Sequence, residues 1–312
     1  RATAWPSTSN WHPPPPSPGG QEAPSGRRAD AEGALGAPGR ETLPMADTPT
    51  FDYLEVACDG RRATLTLNRP ERLNALSTAV MAEVVAAADW FDHQPDLRVV
   101  VVAGAGRAFC AGFDIDTFAE TAGPSPAGGR TAADAGRIMA DALEAMAPVA
   151  VARLHGHVVG GGVVLAAACD LRVASDDTIF SIPEVDLGIP LAWGGIPRLV
   201  REIGPALTKE LVMTCRPFDA AEAAAAGFLN QVVPTDGLDA AVDDLAESVA
   251  SRPRVATLAT KAHTNAVTSQ MVGTIRSWSD ADGLGAAMRD PEARDSRAAY
   301  LERLRPGKPD RS

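Results

Sequence analysis

Residues 149–168 read VAVARLHGHVVGGGVVLAAA, and this stretch decides the fold. The β-branched run at 149–153 predicts a buried strand, and the apolar run after Gly160, Gly161 and Gly162 predicts a buried helix. Glycines at the start of a helix leave its first backbone amides uncovered, with the positive end of the helix dipole behind them. The triplet can therefore hold an anion, or an oxygen that becomes one during a reaction. A close crossing of helix and strand that needs no side chains explains the same glycines equally well.

A second glycine-bearing turn favours the first interpretation. Residues 98–103 read RVVVVA, a strong signal for a buried strand, and GAGRAFCAGFDI follows at 104–115. This nearly matches the dinucleotide-binding fingerprint, but Phe109 replaces the third glycine and no acidic residue ends a neighbouring strand at the expected distance, so a nicotinamide enzyme is disfavoured. Gly112 instead presents the backbone N–H of Phe113 from a second turn. Two amides from separate turns, one at Phe113 and one in the glycine triplet, form an oxyanion hole if they converge on one point.

Further motifs stand in a fixed order along the chain. They are LTLNRPERLNAL at 65–76, AFCAGFDI at 108–115, GHVVGGG at 156–162, CDLRVA at 169–174, FSIPEVDLGIP at 180–190, GGIPRL at 194–199 and YLER at 300–303. With this ordered set the chain resembles the enoyl-CoA hydratase/isomerase (crotonase) family from about Phe51 to Arg305. The resemblance implies an α/β fold, a crotonase-like superhelix of ββα repeats with a helical C-terminal trimerisation region. It also implies a homotrimer or a dimer of trimers.

The chain divides into three predicted regions. Residues 1–44 are rich in Pro, Gly and Ala without helical or strand periodicity, which predicts a disordered extension. Because Met45 stands just before the resemblance begins, we expect that this extension is not part of the native protein. Residues 45–245 are predicted to form the crotonase-like ββα core, and residues 246–312 a C-terminal helical region.

Composition excludes several classes of protein. The formal net charge of −11 over 312 residues argues against non-specific binding of nucleic acid. The four cysteines are scattered without a CxxC pair, so neither a disulfide framework nor a metal site is predicted. No apolar run approaches the length needed to cross a bilayer. We therefore expect a cytoplasmic protein that has no nucleic acid or membrane partner.

The resemblance also implies catalytic residues. Phe113 and Gly161 match the oxyanion pair of the family position by position, and such amides would stabilise the enolate of a thioester. Family hydratases use two glutamates on opposite sides of a water molecule. In this chain the second is present as Glu184, whereas the position of the first is occupied by Val164.

This departure guides the prediction of activity. Adding water benefits from two carboxyl groups, whereas moving a double bond needs only one base. We therefore predict an enoyl-CoA (Δ3-Δ2) isomerase in which Glu184 is the single catalytic carboxylate, its pKa raised by the apolar residue at 164. A dienoyl-CoA isomerase would carry an acidic residue eight positions after the glutamate, where this chain has Ala192. A hydratase, another crotonase-type enzyme such as a decarboxylase or hydrolase, and a non-catalytic acyl-CoA-binding protein remain the alternatives.

The predicted partner is an acyl-CoA thioester, and coenzyme A enters only as part of this substrate, without a separate cofactor or metal. In the family, the adenine pocket uses backbone groups that here correspond to Arg72 and Leu73 and to the turn containing Ala111, Asp114 and Ile115. Arg72 and Lys261 are the cationic candidates for a phosphate contact. Four other side chains receive structural interpretations: His155 and His157 as satisfied histidines, Cys110 as packing and Trp193 as a pocket wall.

Overall fold

The valine-rich run at 98–103 forms a central strand of a parallel sheet. The computed structural model describes residues 47–115 and 126–303. The strands in these ranges are β1 Leu54–Asp59, β2 Arg62–Leu67, β3 Val99–Gly104, β4 Val149–Leu154, β5 His157–Val159, β6 Leu171–Ser175, β7 Ile179–Ser181, β8 Phe218–Asp219 and β9 Gln231–Val233.

The larger sheet has the strand order β1-β2-β3-β4-β6-β9. Strands β1 and β2 form an antiparallel hairpin, which turns at Gly60 with a φ of 61°. All other neighbours in this sheet pair in parallel. A smaller sheet contains β5, β7 and β8, with β5 parallel to β7. Because parallel strands leave a sheet at the same edge, the segments after β5 and β7 are brought side by side.

Helices cover both faces of the larger sheet. They are α1 Thr78–Asp92, α2 Pro126–Ala145, α3 Gly161–Ala167, α4 Gly195–Thr214, α5 Ala220–Ala225, α6 Leu238–Ala250, α7 Arg254–Met271, α8 Asp280–Arg289 and α9 Pro291–Arg303. Apolar residues recur at helical spacing from Met81 to Phe91 after a candidate N-cap at Ser77, a pattern that predicts a helix over roughly 78–92. This helix is confirmed as α1, and Ser77 accepts a hydrogen bond from the amide of Val80.

Side chains of β3 alternate between two apolar cores. Val100 and Val102 point into the main core, which α1, α2 and α3 complete. Val99 and Val101 point to the other face, where α6 supplies a second cluster that includes Leu238 and Val242. Burial on both faces explains why this strand is a continuous apolar run rather than an alternating one.

The predicted α/β class is confirmed, and the described residues from α6 to residue 303 are mostly helical. Helix α6 runs across the boundary predicted after residue 245, because no chain-breaking signal precedes the sequence Ser251-Arg252-Pro253. The expectation for residues 1–44 lies outside the described residues. Within the ranges described, none of the helices combines the length and apolar character of a bilayer span.

Candidate active site

The pairing of β5 with β7 brings the glycine triplet beside Glu184. Val159 pairs with Ser181, and the amide of Gly160 donates to the carbonyl of Ser181 at 2.8 Å. Gly160 then adopts a φ of 49°, and Gly161 begins α3. A Cβ at residue 160 would overlap Oε1 of Glu184. The backbone angle therefore favours glycine at this position, and the carboxyl group of Glu184 packs directly against it.

The turn at 110–114, the second of the two predicted turns, is held beside the glycine triplet by backbone hydrogen bonds. The amide of Val159 donates to the carbonyl of Cys110 at 3.0 Å. On its other side, the turn forms a bridge with Leu76 through the carbonyl of Gly112 and the amide of Asp114. A Cβ on Gly112 would lie 3.2 Å from the nitrogen of Gly161, so the turn and the start of α3 are in contact.

Phe113, Gly161 and Glu184 line one cavity of about 40 Å³. The structure thus brings together the three residues predicted to be catalytic. Gly161 is the first residue of α3, where a backbone amide has no acceptor within the helix. The rest of the described lining is apolar and consists of Ala132, Ala133, Val164, Ile189, Pro190, Leu191, Ala192, Trp193 and Leu284.

The carboxyl group of Glu184 is buried in this apolar surrounding, although other parts of the residue are accessible. Its Oε2 is shielded from solvent and has no hydrogen-bond partner among the described residues. Burial raises the pKa of Glu184 to about 7, because a charged carboxylate is poorly solvated there. The direction of this shift agrees with the prediction from the apolar residue at position 164.

We expect Glu184→Gln to remove a pH dependence of stability between about pH 4.5 and 7. The folded protein holds this proton at pH values where the unfolded chain has lost it, so its stabilising effect is complete below about pH 4.5 and is lost as pH rises through about 7. The wild type should therefore lose up to about 3 kcal/mol relative to the glutamine variant between pH 5 and 8. Urea unfolding at four pH values measures this difference. Parallel stability curves for the two proteins would show that Glu184 titrates normally.

The residues predicted to contact coenzyme A lie mostly on two adjoining turns. The amide of Ala111 donates to the carbonyl of Leu73 at 2.9 Å, which joins the turn at 70–76 to the turn at 110–114. Arg72 is exposed beside Leu73, and Ile115 is half-buried at the end of the described range. Asp114 is buried in an ion pair with Arg69 at 2.9 Å, so this carboxylate also cross-links the two turns.

Lys261 lies apart from the other predicted residues. Its Nζ donates to the carbonyl of Pro148 at 2.8 Å and pairs with the carboxylate of Asp170 at 2.7 Å. Helix α7 directs the side chain inward, and the ammonium group is buried with its charge balanced by Asp170. It lines a different cavity, of about 630 Å³, which does not include Glu184. This placement therefore gives no support to the predicted phosphate contact.

Comparison with known proteins identifies the family. Residues 62–309 match the sequence model described as enoyl-CoA hydratase/isomerase. The chain belongs to this family. It is 39% identical over 195 residues to a Mycobacterium bovis protein named "probable enoyl-CoA hydratase echA8", which covers 61% of this chain and 72% of the relative. It is 34% identical over 230 residues to the peroxisomal Delta(3,5)-Delta(2,4)-dienoyl-CoA isomerase of Arabidopsis thaliana, covering 70% and 83% of the two chains.

Solved structures agree with this assignment. The crystal structure of an enoyl-CoA hydratase/isomerase from Xanthobacter autotrophicus Py2 matches with a TM-score of 0.71 and 26% identity. The match covers 83% of this chain and all of the other. The predicted crotonase-like fold is therefore confirmed.

In this member of the enoyl-CoA hydratase/isomerase family, two residues shape the cavity wall in a way that the sequence does not predict. Trp193, named only as a wall, lies between the start of α3 and the middle of α2, and its ring packs edge-to-face on Phe113 with centroids 5.8 Å apart. Gly136, which was not named, makes room for the ring, since a Cβ there would overlap it. A glycine inside a helix costs about 1 kcal/mol relative to alanine. Its occurrence within a helical segment is the feature of the sequence that could have indicated a packing role for Gly136.

The structural interpretations of His155 and Cys110 are confirmed, whereas His157 is exposed, which does not support its interpretation as a satisfied histidine. Nε2 of His155 donates to the carbonyl of Gly106 at 2.9 Å, and Nδ1 accepts from Arg153 at 3.0 Å. Burial lowers the pKa of this histidine, so the imidazole is held neutral. Burial raises the pKa of the Cys110 thiol to about 12, and this thiol donates to the carbonyl of Asn74. Neither group is prepared for proton transfer or nucleophilic attack.

Proposed function

We propose that this chain is an enoyl-CoA isomerase that moves a double bond between the β,γ and α,β positions of an acyl-CoA thioester. One observation carries the proposal: among the described residues that line the cavity, Glu184 is the one titratable side chain. Moving a double bond requires a single group that takes a proton and returns it two carbons away. A carboxyl group whose pKa is about 7 suits both steps near neutral pH.

In the proposed reaction the thioester carbonyl oxygen is held by the backbone amides of Phe113 and Gly161. Glu184 as a carboxylate removes a proton from C2 of a 3-enoyl thioester, and the electron pair moves onto the carbonyl oxygen to give a dienolate. The two amides stabilise the charge where it forms. The protonated Glu184 then returns the proton to C4, so that the double bond lies between C2 and C3 and the carbonyl is restored.

The proposed reaction leaves the oxidation state unchanged and moves one proton. It therefore requires no cofactor other than the coenzyme A of the substrate. The joined turns that carry Leu73, Ala111, Asp114 and Ile115, with exposed Arg72 beside them, are proposed to contact that coenzyme A.

A hydratase is the second candidate, because the Mycobacterium bovis relative is named as one. Water addition is disfavoured by Val164, which is buried in the cavity wall where family hydratases carry their other glutamate. The dienoyl-CoA isomerase relative from Arabidopsis thaliana suggests a third activity. In the cavity lining, however, Ala192 stands where that activity places a second acidic residue.

Product analysis separates these activities. The protein is incubated with 3-enoyl-CoA and 2-enoyl-CoA thioesters of four and six carbons, and the products are resolved by liquid chromatography and mass spectrometry. We expect the two enoyl isomers to interconvert, with 3-hydroxyacyl-CoA as a minor product at most. Formation of 3-hydroxyacyl-CoA faster than isomerisation would overturn the proposal in favour of a hydratase. Tight binding without any turnover would overturn it in favour of a binding protein.

We also propose the homotrimer or dimer of trimers that the family resemblance implies. Apolar side chains on and after α7 are exposed in the single chain, among them Val255, Met271, Ile275 and Trp278. Assembly would remove such surface from water. Sedimentation velocity measures the assembly, and a purely monomeric protein at micromolar concentration would contradict this proposal.

A further inference from the structure

Trp193 occupies an unusual position in the cavity wall. Its φ of 62° lies in the left-handed region, which is costly for a bulky residue and persists only when the surrounding structure holds it. The side chain is nearly buried, with 8% of its surface exposed. The chain therefore maintains a strained backbone in order to place a large ring beside the proposed reacting atoms.

Two glycines receive this ring. A Cβ at Gly161 would overlap the six-membered part of the indole, and a Cβ at Gly136 would overlap the bond shared by its two rings. Gly136 lies within α2 and Gly161 begins α3, so two helices contact the indole through their backbones. The edge-to-face contact with Phe113 adds a third support. The ring is thus fixed by the fold on three sides.

The fixed ring leaves little space beyond the carboxyl group. The cavity that Glu184 and Trp193 line is small, about 40 Å³. Leu191, Ala192 and Leu284 close the described lining next to Trp193. The side chains of Leu191, Ala192 and Leu284 carry no polar atom, so a hydroxyl or carboxylate on the acyl tail beside them would lose its hydration without compensation.

We infer that Trp193 restricts the acyl group to a short, apolar chain. This inference rests on the proposed acyl-CoA substrate and is independent of which reaction follows binding. Extra methylene groups on a longer chain would have to displace the ring from its contacts with Gly136, Gly161 and Phe113. Trp193 is therefore a specificity-determining residue, and it has no role in proton transfer.

Binding of saturated acyl-CoA thioesters tests the inference without requiring turnover. Acetyl-, butyryl-, hexanoyl-, octanoyl- and decanoyl-CoA are titrated calorimetrically into the wild type and into Trp193→Ala. We expect wild-type affinity to fall at least about tenfold from butyryl- to decanoyl-CoA. In Trp193→Ala, each methylene group of the acyl chain that enters the space left by the indole should raise affinity about fourfold. Longer acyl-CoA thioesters should therefore bind this variant more tightly than shorter ones. Trp90→Phe is the matched control, because Trp90 packs on Phe91 in α1 away from the cavity and this variant should keep the wild-type profile.

Two results would overturn the inference. One is a wild type that binds decanoyl-CoA as tightly as butyryl-CoA. The other is an unchanged chain-length profile in Trp193→Ala with a native circular dichroism spectrum. If the alanine variant does not fold, Trp193→Phe provides the test, since the smaller ring should move the preferred length upward by about two carbons. A short-chain binding profile without isomerase turnover would refute the proposed function and leave this inference standing.

Discussion

Glu184→Gln is expected to lower kcat for enoyl-CoA isomerisation by at least about 10³-fold and to leave acyl-CoA affinity within about threefold. Glutamine keeps the size of the side chain and an oxygen at the same place, but it cannot take up or return a proton. General acid–base catalysis by one group typically supplies about 10²–10⁴ in rate. In the proposed reaction Glu184 serves both proton transfers, which places the loss at the upper end. Discontinuous assays of the enoyl-CoA products, quenched at fixed times, measure kcat. Calorimetric titration with butyryl-CoA measures affinity.

Asp186→Asn is the matched control for this experiment. Asp186 is an exposed carboxylate two residues from Glu184 and pairs with Arg303 at 3.3 Å on the surface. This variant also replaces a carboxyl group by an amide, as Glu184→Gln does, and kcat should stay within about twofold of the wild type. A glutamine variant that keeps more than a tenth of the wild-type rate would show that another group carries the proton.

The parts of the fold that follow from local pattern could be predicted from the sequence. The apolar run of β3, the N-cap of α1 at Ser77 and the glycines before α3 each depend on residues close together in the chain. The predicted α/β class follows from such elements. The family resemblance then predicted that Phe113, Gly161 and Glu184 share one site. Secondary-structure propensity alone does not predict which distant residues lie close together in space.

Other features depend on contacts between distant residues. The Gly/Pro/Ser composition of residues 123–129 predicts a loop followed by a helix, yet α2 already begins at Pro126, at a first-turn position that proline favours. The earlier part of that segment, residues 123–125, lies outside the described residues. The burial of Lys261 against Asp170 requires knowing how α7 packs on the sheet. The fit of Trp193 to Gly136 joins residues 57 positions apart, and neither residue alone indicates the other.

The second large effect is expected at Gly161, where the proposed oxyanion donor is a backbone amide and only proline deletes it. Residue 161 is the first of α3, a position where proline removes no helical hydrogen bond. A Cβ there overlaps Trp193, so a substitution in the wild type would displace the indole as well as alter the amide. The comparison is therefore made in the Trp193→Ala background, between Gly161→Ala, which keeps the N–H, and Gly161→Pro, which lacks it.

Both double variants add a side chain at the same place, and they differ mainly in the amide hydrogen and in the proline ring that replaces it. Since one oxyanion donor is typically worth about 10²–10³ in rate, kcat of the proline variant should fall below that of the alanine variant by this factor. Affinity for butyryl-CoA should differ much less, because the enolate carries far more charge on its oxygen than the bound thioester does. Thermal unfolding confirms that both variants are folded before the rates are compared. Equal rates in two folded variants would show that the amide of residue 161 does not stabilise the reacting oxygen, which would overturn the proposed pair of oxyanion donors.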